Sequence, residues 1–198
     1  MPPGGGSGTA PSEAVTVGAV RSEPLTEVVA AMLRESDNLA AELLVREIGR
    51  RRADDGSTAA GAAAVVRELA ALGLPVAGLR LGDGSGLEVT NTASCALLAS
   101  ALRLGEAHGL PDLRSRLAVA GRSGTLVKRL AETPLEGKLA AKTGSLKGVT
   151  GLTGFVDGRR RLAFALLANG AFSEAEGRLL QDRLVALPAN YPGPQPQL

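Results

Sequence analysis

The chain has 198 residues, 44% hydrophobic but only 2% aromatic, with 22 basic and 20 acidic side chains. That length suits one domain with a core of Leu, Val and Ala, while one tyrosine and three phenylalanines offer nucleic-acid bases little to stack on. No uninterrupted apolar run reaches the roughly 18 residues of a membrane span, and a single cysteine, Cys95, excludes an internal disulfide and a cysteine-based metal cluster.

Residues 1–20 are expected to be flexible. Met1 to Ala10 is rich in Gly and Pro and lacks the charged start and apolar stretch of a signal peptide. The first helix is expected over 23–35, with Ser22 as N-cap and Pro24 in its first turn. Leu25, Val28, Val29, Met32 and Leu33 follow the spacing of one buried helical face. A second helix, Leu39 to Arg50, would bury Leu39, Leu43, Leu44 and Ile48. Ser36, Asp37 and Asn38 between them prefer caps and turns to helix interiors. Arg50, Arg51 and Arg52 read as a solvated helix end.

A third helix carries Ala62, Val65, Val66, Leu69 and Leu72 and can end at Gly73. Pro75 to Leu81 reads as a short strand and Asp83-Gly84-Ser85-Gly86 as a loop. Thr92 can cap a helix reaching Leu104, on which Cys95 is expected as a buried thiol. His108, the single histidine, reads as a surface or packing residue; a Ser-His-Asp triad would have to use it, and nothing else recommends that. Pro111 to Leu117 and Gly124 to Leu130 are expected as short helices.

Three strands follow: Lys138 to Leu146, Val149 to Val156 and Arg160 to Ala168. Asp157-Gly158 is expected to join the last two as a type I′ turn. Ser173-Glu174-Ala175-Glu176 is a capping box, opening a helix with Leu180, Leu184 and Leu187 on one face. Residues 188–198 read as a Pro-rich tail. Helices, an antiparallel meander and a closing helix make an α+β domain over residues 21–187.

Two tripeptides carry chemistry. Lys142-Thr143-Gly144, on a strand, supplies a cation and a hydroxyl to grip a carboxylate, and a glycine against which an acyl group can lie. The N–H of Ser145, just past it, can serve as an oxyanion donor. Ser36-Asp37-Asn38 supplies a hydroxyl to relay a proton and an amide to bind a peptide. Taken singly, the same residues are those of a helix–helix turn and of a lysine on an edge strand. An α/β-hydrolase nucleophile elbow is not found at Ser145, and Gly121-Arg122-Ser123-Gly124-Thr125 fails at its fifth residue.

The chain resembles penicillin-binding-protein-4-type D-alanyl-D-alanine carboxypeptidases, which also show endopeptidase activity. The resemblance rests on Ser22-Glu-Pro-Leu25, Met32 to Glu42, Gly82 to Leu87, Val119 to Leu126, Ala141 to Leu146 and Gly154-Phe155-Val156. It implies a β-lactamase/transpeptidase-like fold, here partial. It also implies Ser36, Asn38 and Lys142 as catalytic residues, and Asn38, Lys142, Thr143, Gly144 and Ser145 as substrate-binding ones.

The implied reaction is attack of a serine on a peptidoglycan stem peptide ending in D-Ala-D-Ala, with β-lactams as mimics. It takes place in the periplasm or the extracytoplasmic envelope, with no metal or organic cofactor and no nucleic-acid partner. The family's Ser-x-x-Lys motif is absent. The four lysines are Lys128, Lys138, Lys142 and Lys147, and the residues three before them are Thr125, Leu135, Leu139 and Gly144. The chain is therefore expected to be a fragment that is inactive alone. The alternative is a non-catalytic remnant that binds cell-wall peptide or a partner chain.

Overall fold

A computed structural model of the chain describes residues 11–15, 17–108, 112–189 and 191. The expectations for the His108 side chain and for residues 1–10, 16, 111, 190 and 192–198 lie outside that set. The helices are α1 (Leu25–Glu35), α2 (Asn38–Ala53), α3 (Thr58–Ala71), α4 (Cys95–His108), α5 (Glu174–Leu184) and α6 (Ala186–Ala189). Strands β1 (Ala118–Val119), β2 (Leu139–Leu146), β3 (Val149–Asp157) and β4 (Arg161–Asn169) form one antiparallel sheet in that order. The class is α+β, as the element pattern indicates.

Side chains alternate across β2, so its residues feed two cores. Leu139 and Ala141 join Leu152, Val156 and, at the end of α5, Val185. Ala140, between them, joins Phe155, Leu117 and Leu102 of α4 on the other face. The Ser173 capping box forms with both of its bonds: Ser173 N–H donates to Glu176 Oε2 at 2.8 Å and Glu176 N–H to Ser173 Oγ at 3.3 Å.

Several sequence expectations are corrected. Pro24, not Ser22, is the N-cap of α1. Leu39 and Leu43 are 69% and 56% exposed. α2 packs instead around small residues: Val45 and Gly49 are buried against Gly61 of α3, on which Ala62 and Ala64 are also buried. A β-carbon on Gly61 would lie 1.9 Å from the Val45 carbonyl oxygen, a contact no side-chain rotation relieves. Gly61→Ala should therefore lower stability by about 1–3 kcal/mol, read as a lower Tm in thermal unfolding. An unchanged Tm would mean that the two helices are not held at that distance.

Pro75 to Leu81 forms no strand; one bridge, Arg80 to Thr92, replaces it. Thr92 Oγ1 donates to the Gly78 carbonyl, and the first turn of α4 is capped by Ser94, whose Oγ accepts from Leu97 N–H. Cys95, at the start of that helix, is exposed rather than buried. The two short helices shrink to 3-10 turns at Leu113–Arg116 and Gly124–Leu126.

The β3–β4 connection is not a two-residue Asp-Gly turn. Asp157 pairs with Arg161, leaving three residues in the loop, and Gly158 is not among the residues at positive φ. The Asp157 carboxylate is bound by Arg114 at 2.7 Å and Arg161 at 2.9 Å, which holds it in the strand. The two-residue hairpin lies on the other side, where Lys147-Gly148 joins β2 to β3 with Gly148 at φ +73°.

Candidate active site

The link between α1 and α2 is two residues long and strained. Ser36 ends α1 in the left-handed conformation, φ 61° and ψ 49°, which costs a side-chain-bearing residue about 1 kcal/mol. Asp37 then starts α2, its carboxylate accepting from Ala40 N–H at 3.0 Å. Ser36 thereby reaches β2: Lys142 Nζ donates to Ser36 Oγ at 2.7 Å across 106 positions of sequence. The same ammonium donates to the Thr143 carbonyl at 2.7 Å, and Thr143 Oγ1 bonds Thr125 Oγ1 at 3.0 Å.

Among the described residues no carboxylate pairs with Lys142. Burial pushes its ammonium below the ordinary lysine value, because a charge removed from water loses hydration that two neutral oxygens only partly replace. The local chemistry is a desolvated cation among hydroxyls, which favours an incoming anion.

The strand edge beside it is open. β1 pairs only with Ala140 and Ala141 of β2, so among the described residues no strand covers the edge from Lys142 to Leu146. Ala120 N–H donates to the Leu139 carbonyl. The two-residue alternation of antiparallel bonding then turns the N–H and C=O of Thr143 and Ser145 toward that edge. Gly144 and Ser145 are exposed there. Lys142, Thr143, Gly144 and Thr153 line a cavity of about 400 Å³ whose other walls are mainly apolar, including Leu33, Leu98, Leu102 and Leu117.

The structure thus brings Ser36, Lys142 and Thr143 into hydrogen-bond contact and places Gly144 and Ser145 beside them. Asn38 differs: it opens α2, is exposed, and makes no hydrogen bond to this group. Thr125 and Gln181, which bonds the Gly144 carbonyl at 3.2 Å, were not anticipated. Thr125 lies in a 3-10 turn within a stretch that reads only as a short helix, and Gln181 is one polar residue within an otherwise amphipathic helix pattern.

The sequence profile of the D-Ala-D-Ala carboxypeptidase 3 (S13) family matches residues 5–191. This chain belongs to that family. It is 37% identical over 196 residues to the carboxypeptidase DacB of Mycolicibacterium smegmatis, covering 94% of this chain and 41% of that protein. It is 36% identical over 181 residues to the D-alanyl-D-alanine carboxypeptidase of Actinomadura sp., covering 88% of this chain and 34% of that one. The solved penicillin-binding protein 4 of Haemophilus influenzae, complexed with a β-lactam, superposes with a TM-score of 0.75 at 29% identity, covering 83% of this chain and 41% of that one. The fold is accordingly a partial β-lactamase/transpeptidase-like one. The S13 chain spans about two fifths or less of the length of these relatives.

Proposed function

We propose that residues 21–187 are the carboxylate-gripping and proton-relaying part of a serine-type D-Ala-D-Ala carboxypeptidase domain acting on peptidoglycan stem peptides outside the cytoplasm. The observation that carries this reading is Lys142: a desolvated ammonium with no carboxylate partner among the described residues, 2.7 Å from the Ser36 hydroxyl and at the head of an open strand edge.

A peptide ending in D-Ala-D-Ala lies along β2 in this reading. Its terminal carboxylate meets Lys142 Nζ and the Thr143 hydroxyl, and its scissile carbonyl oxygen meets the Ser145 N–H. Asn38, exposed two residues beyond Ser36, offers its amide to the peptide. When a serine attacks the penultimate carbonyl, Ser36 Oγ receives the proton that serine gives up and hands its own to the departing D-Ala nitrogen as the peptide C–N bond breaks, and Lys142 keeps that hydroxyl oriented. β-Lactams present the same carboxylate and carbonyl. The nucleophile belongs to a Ser-x-x-Lys segment, which this sequence does not contain. The apolar walls of the 400 Å³ cavity fit a chain that packs against such a segment. By itself this chain binds peptide without cleaving it.

Binding should carry the signature of Lys142. Only the protonated ammonium attracts a carboxylate, so affinity is highest below the lowered pKa of Lys142 and falls as pH rises through it, before the ordinary lysine value is reached. Stability runs the other way. Because folding lowers this pKa, the unfolded chain binds the proton more tightly, and the penalty is relieved as pH rises from the folded value toward the ordinary one. Titration of an N-acylated peptide ending in D-Ala-D-Ala across that range tests the reading; affinity independent of pH would remove Lys142 from the site.

A further inference from the structure

Thr150 and Gln181 are the fully enclosed polar residues among those described, each 0% exposed. Gln181 projects from α5 onto the sheet, where its Nε2 reaches Thr150 Oγ1 at 2.5 Å, the Gly151 carbonyl at 3.0 Å and the Gly144 carbonyl at 3.2 Å. Its amide cannot be turned the other way. Arg129 Nη1 lies 3.0 Å from Gln181 Oε1, and a guanidinium only donates, so the oxygen must face Arg129 and the nitrogen the strands. Arg129 is itself held by an ion pair to Asp182. An amide buried so deeply would cost several kcal/mol if its partners were missing; here both ends are satisfied.

Gly144 and Gly151 are cross-strand partners, so no side chain of either strand steadies the sheet at that step. The Gly144 carbonyl and the Ser145 N–H belong to one planar trans peptide, in which the two groups point in opposite directions. Fixing the oxygen inward fixes the N–H outward, toward the open edge. We propose that Gln181 is a positioning residue that sets the Gly144–Ser145 peptide plane and so aims the Ser145 N–H at the substrate carbonyl oxygen. Arg129 fixes the Gln181 amide for that task. A second donor on the Gly144 carbonyl also polarises the peptide, which makes the Ser145 N–H a stronger donor. This inference rests on the reading of that N–H as an oxyanion donor.

The test is NMR of the isotopically labelled chain with Gln181→Met, which keeps the volume and removes the amide. Val185→Ala, a core truncation four residues on in the same helical region, is the control. In Gln181→Met the Gly144 carbonyl carbon and the Ser145 amide nitrogen should both move upfield, because their shared peptide loses the polarisation of one hydrogen bond; Val185→Ala should leave both unmoved. In the unmodified chain the two Gln181 amide protons should exchange slowly and show coupling through the hydrogen bond to the Gly144 carbonyl, a readout that survives if a variant does not fold. None of these signals depends on substrate. Failure of the peptide titration alone would therefore sink the functional reading and not the positioning. Unmoved Gly144 and Ser145 signals in Gln181→Met, equal movement in the Val185→Ala control, or freely exchanging Gln181 amide protons in the unmodified chain would overturn the positioning proposal.

Discussion

Incubated with a labelled penicillin, this chain should return its unmodified mass. A stable acyl-enzyme needs a hydroxyl activated by an adjacent base. Of the residues three before a lysine, only Thr125 has a hydroxyl, and that hydroxyl is engaged with Thr143. The best hydroxyl–amine pair present is Ser36 with Lys142, at 2.7 Å, and desolvation does lower the Lys142 pKa. The ligand itself disarms this pair. A β-lactam carboxylate bound at Lys142 stabilises the ammonium and raises its pKa again, so the amine is least able to take a proton when a carbonyl is near. Intact-mass spectrometry decides the matter. A stoichiometric adduct mapped to Ser36, Ser145 or any other serine of this chain would mean that the nucleophile is present after all.

The second large effect is at Lys142. Its ammonium is partly buried, so a carboxylate reaching it exchanges some hydration for a charge-assisted hydrogen bond in a medium that screens less than bulk water. Such a bond contributes on the order of 2–3 kcal/mol, roughly 30- to 150-fold in affinity. Lys142→Ala should weaken binding of a D-Ala-D-Ala peptide by that factor. Folding should survive the change, and even gain a little, because the desolvated charge is removed. Retained affinity would make Lys142 a strand residue without a ligand role.

The parts of this site that sequence reveals are those written locally. Ser36-Asp37-Asn38 announces a helix break because each residue competes with the helix for hydrogen bonds, and the break is what lets Ser36 leave α1. Ser173 and Glu176 satisfy each other across one turn. Lys142-Thr143-Gly144 lies in a run long enough to be a strand. What is not legible depends on partners distant in sequence. Leu39 and Leu43 satisfy a helical period but face solvent, because α2 meets α3 through Gly49 and Gly61, and glycines carry no hydrophobic signal. Asp157-Gly158 reads as a tight turn until Arg114 and Arg161 claim the carboxylate. Gln181 looks like a solvent residue because nothing in its neighbourhood tells that Gly144, Thr150, Gly151 and Arg129 converge on it.

If Lys142 at the open edge of β2 receives the terminal carboxylate of a D-Ala-D-Ala peptide, removing either the ammonium or the carboxylate charge should have the same effect. Calorimetric titration of the chain and of Lys142→Ala, each with the acid and the C-terminal amide of one N-acylated D-Ala-D-Ala peptide, isolates that contact as a double-mutant cycle does. Saturable binding of the acid to the unmodified chain is expected, and a loss on amidation that Lys142→Ala does not add to. Equal binding of acid and amide to the unmodified chain, or a loss on amidation that persists in full in Lys142→Ala, would contradict that role of Lys142.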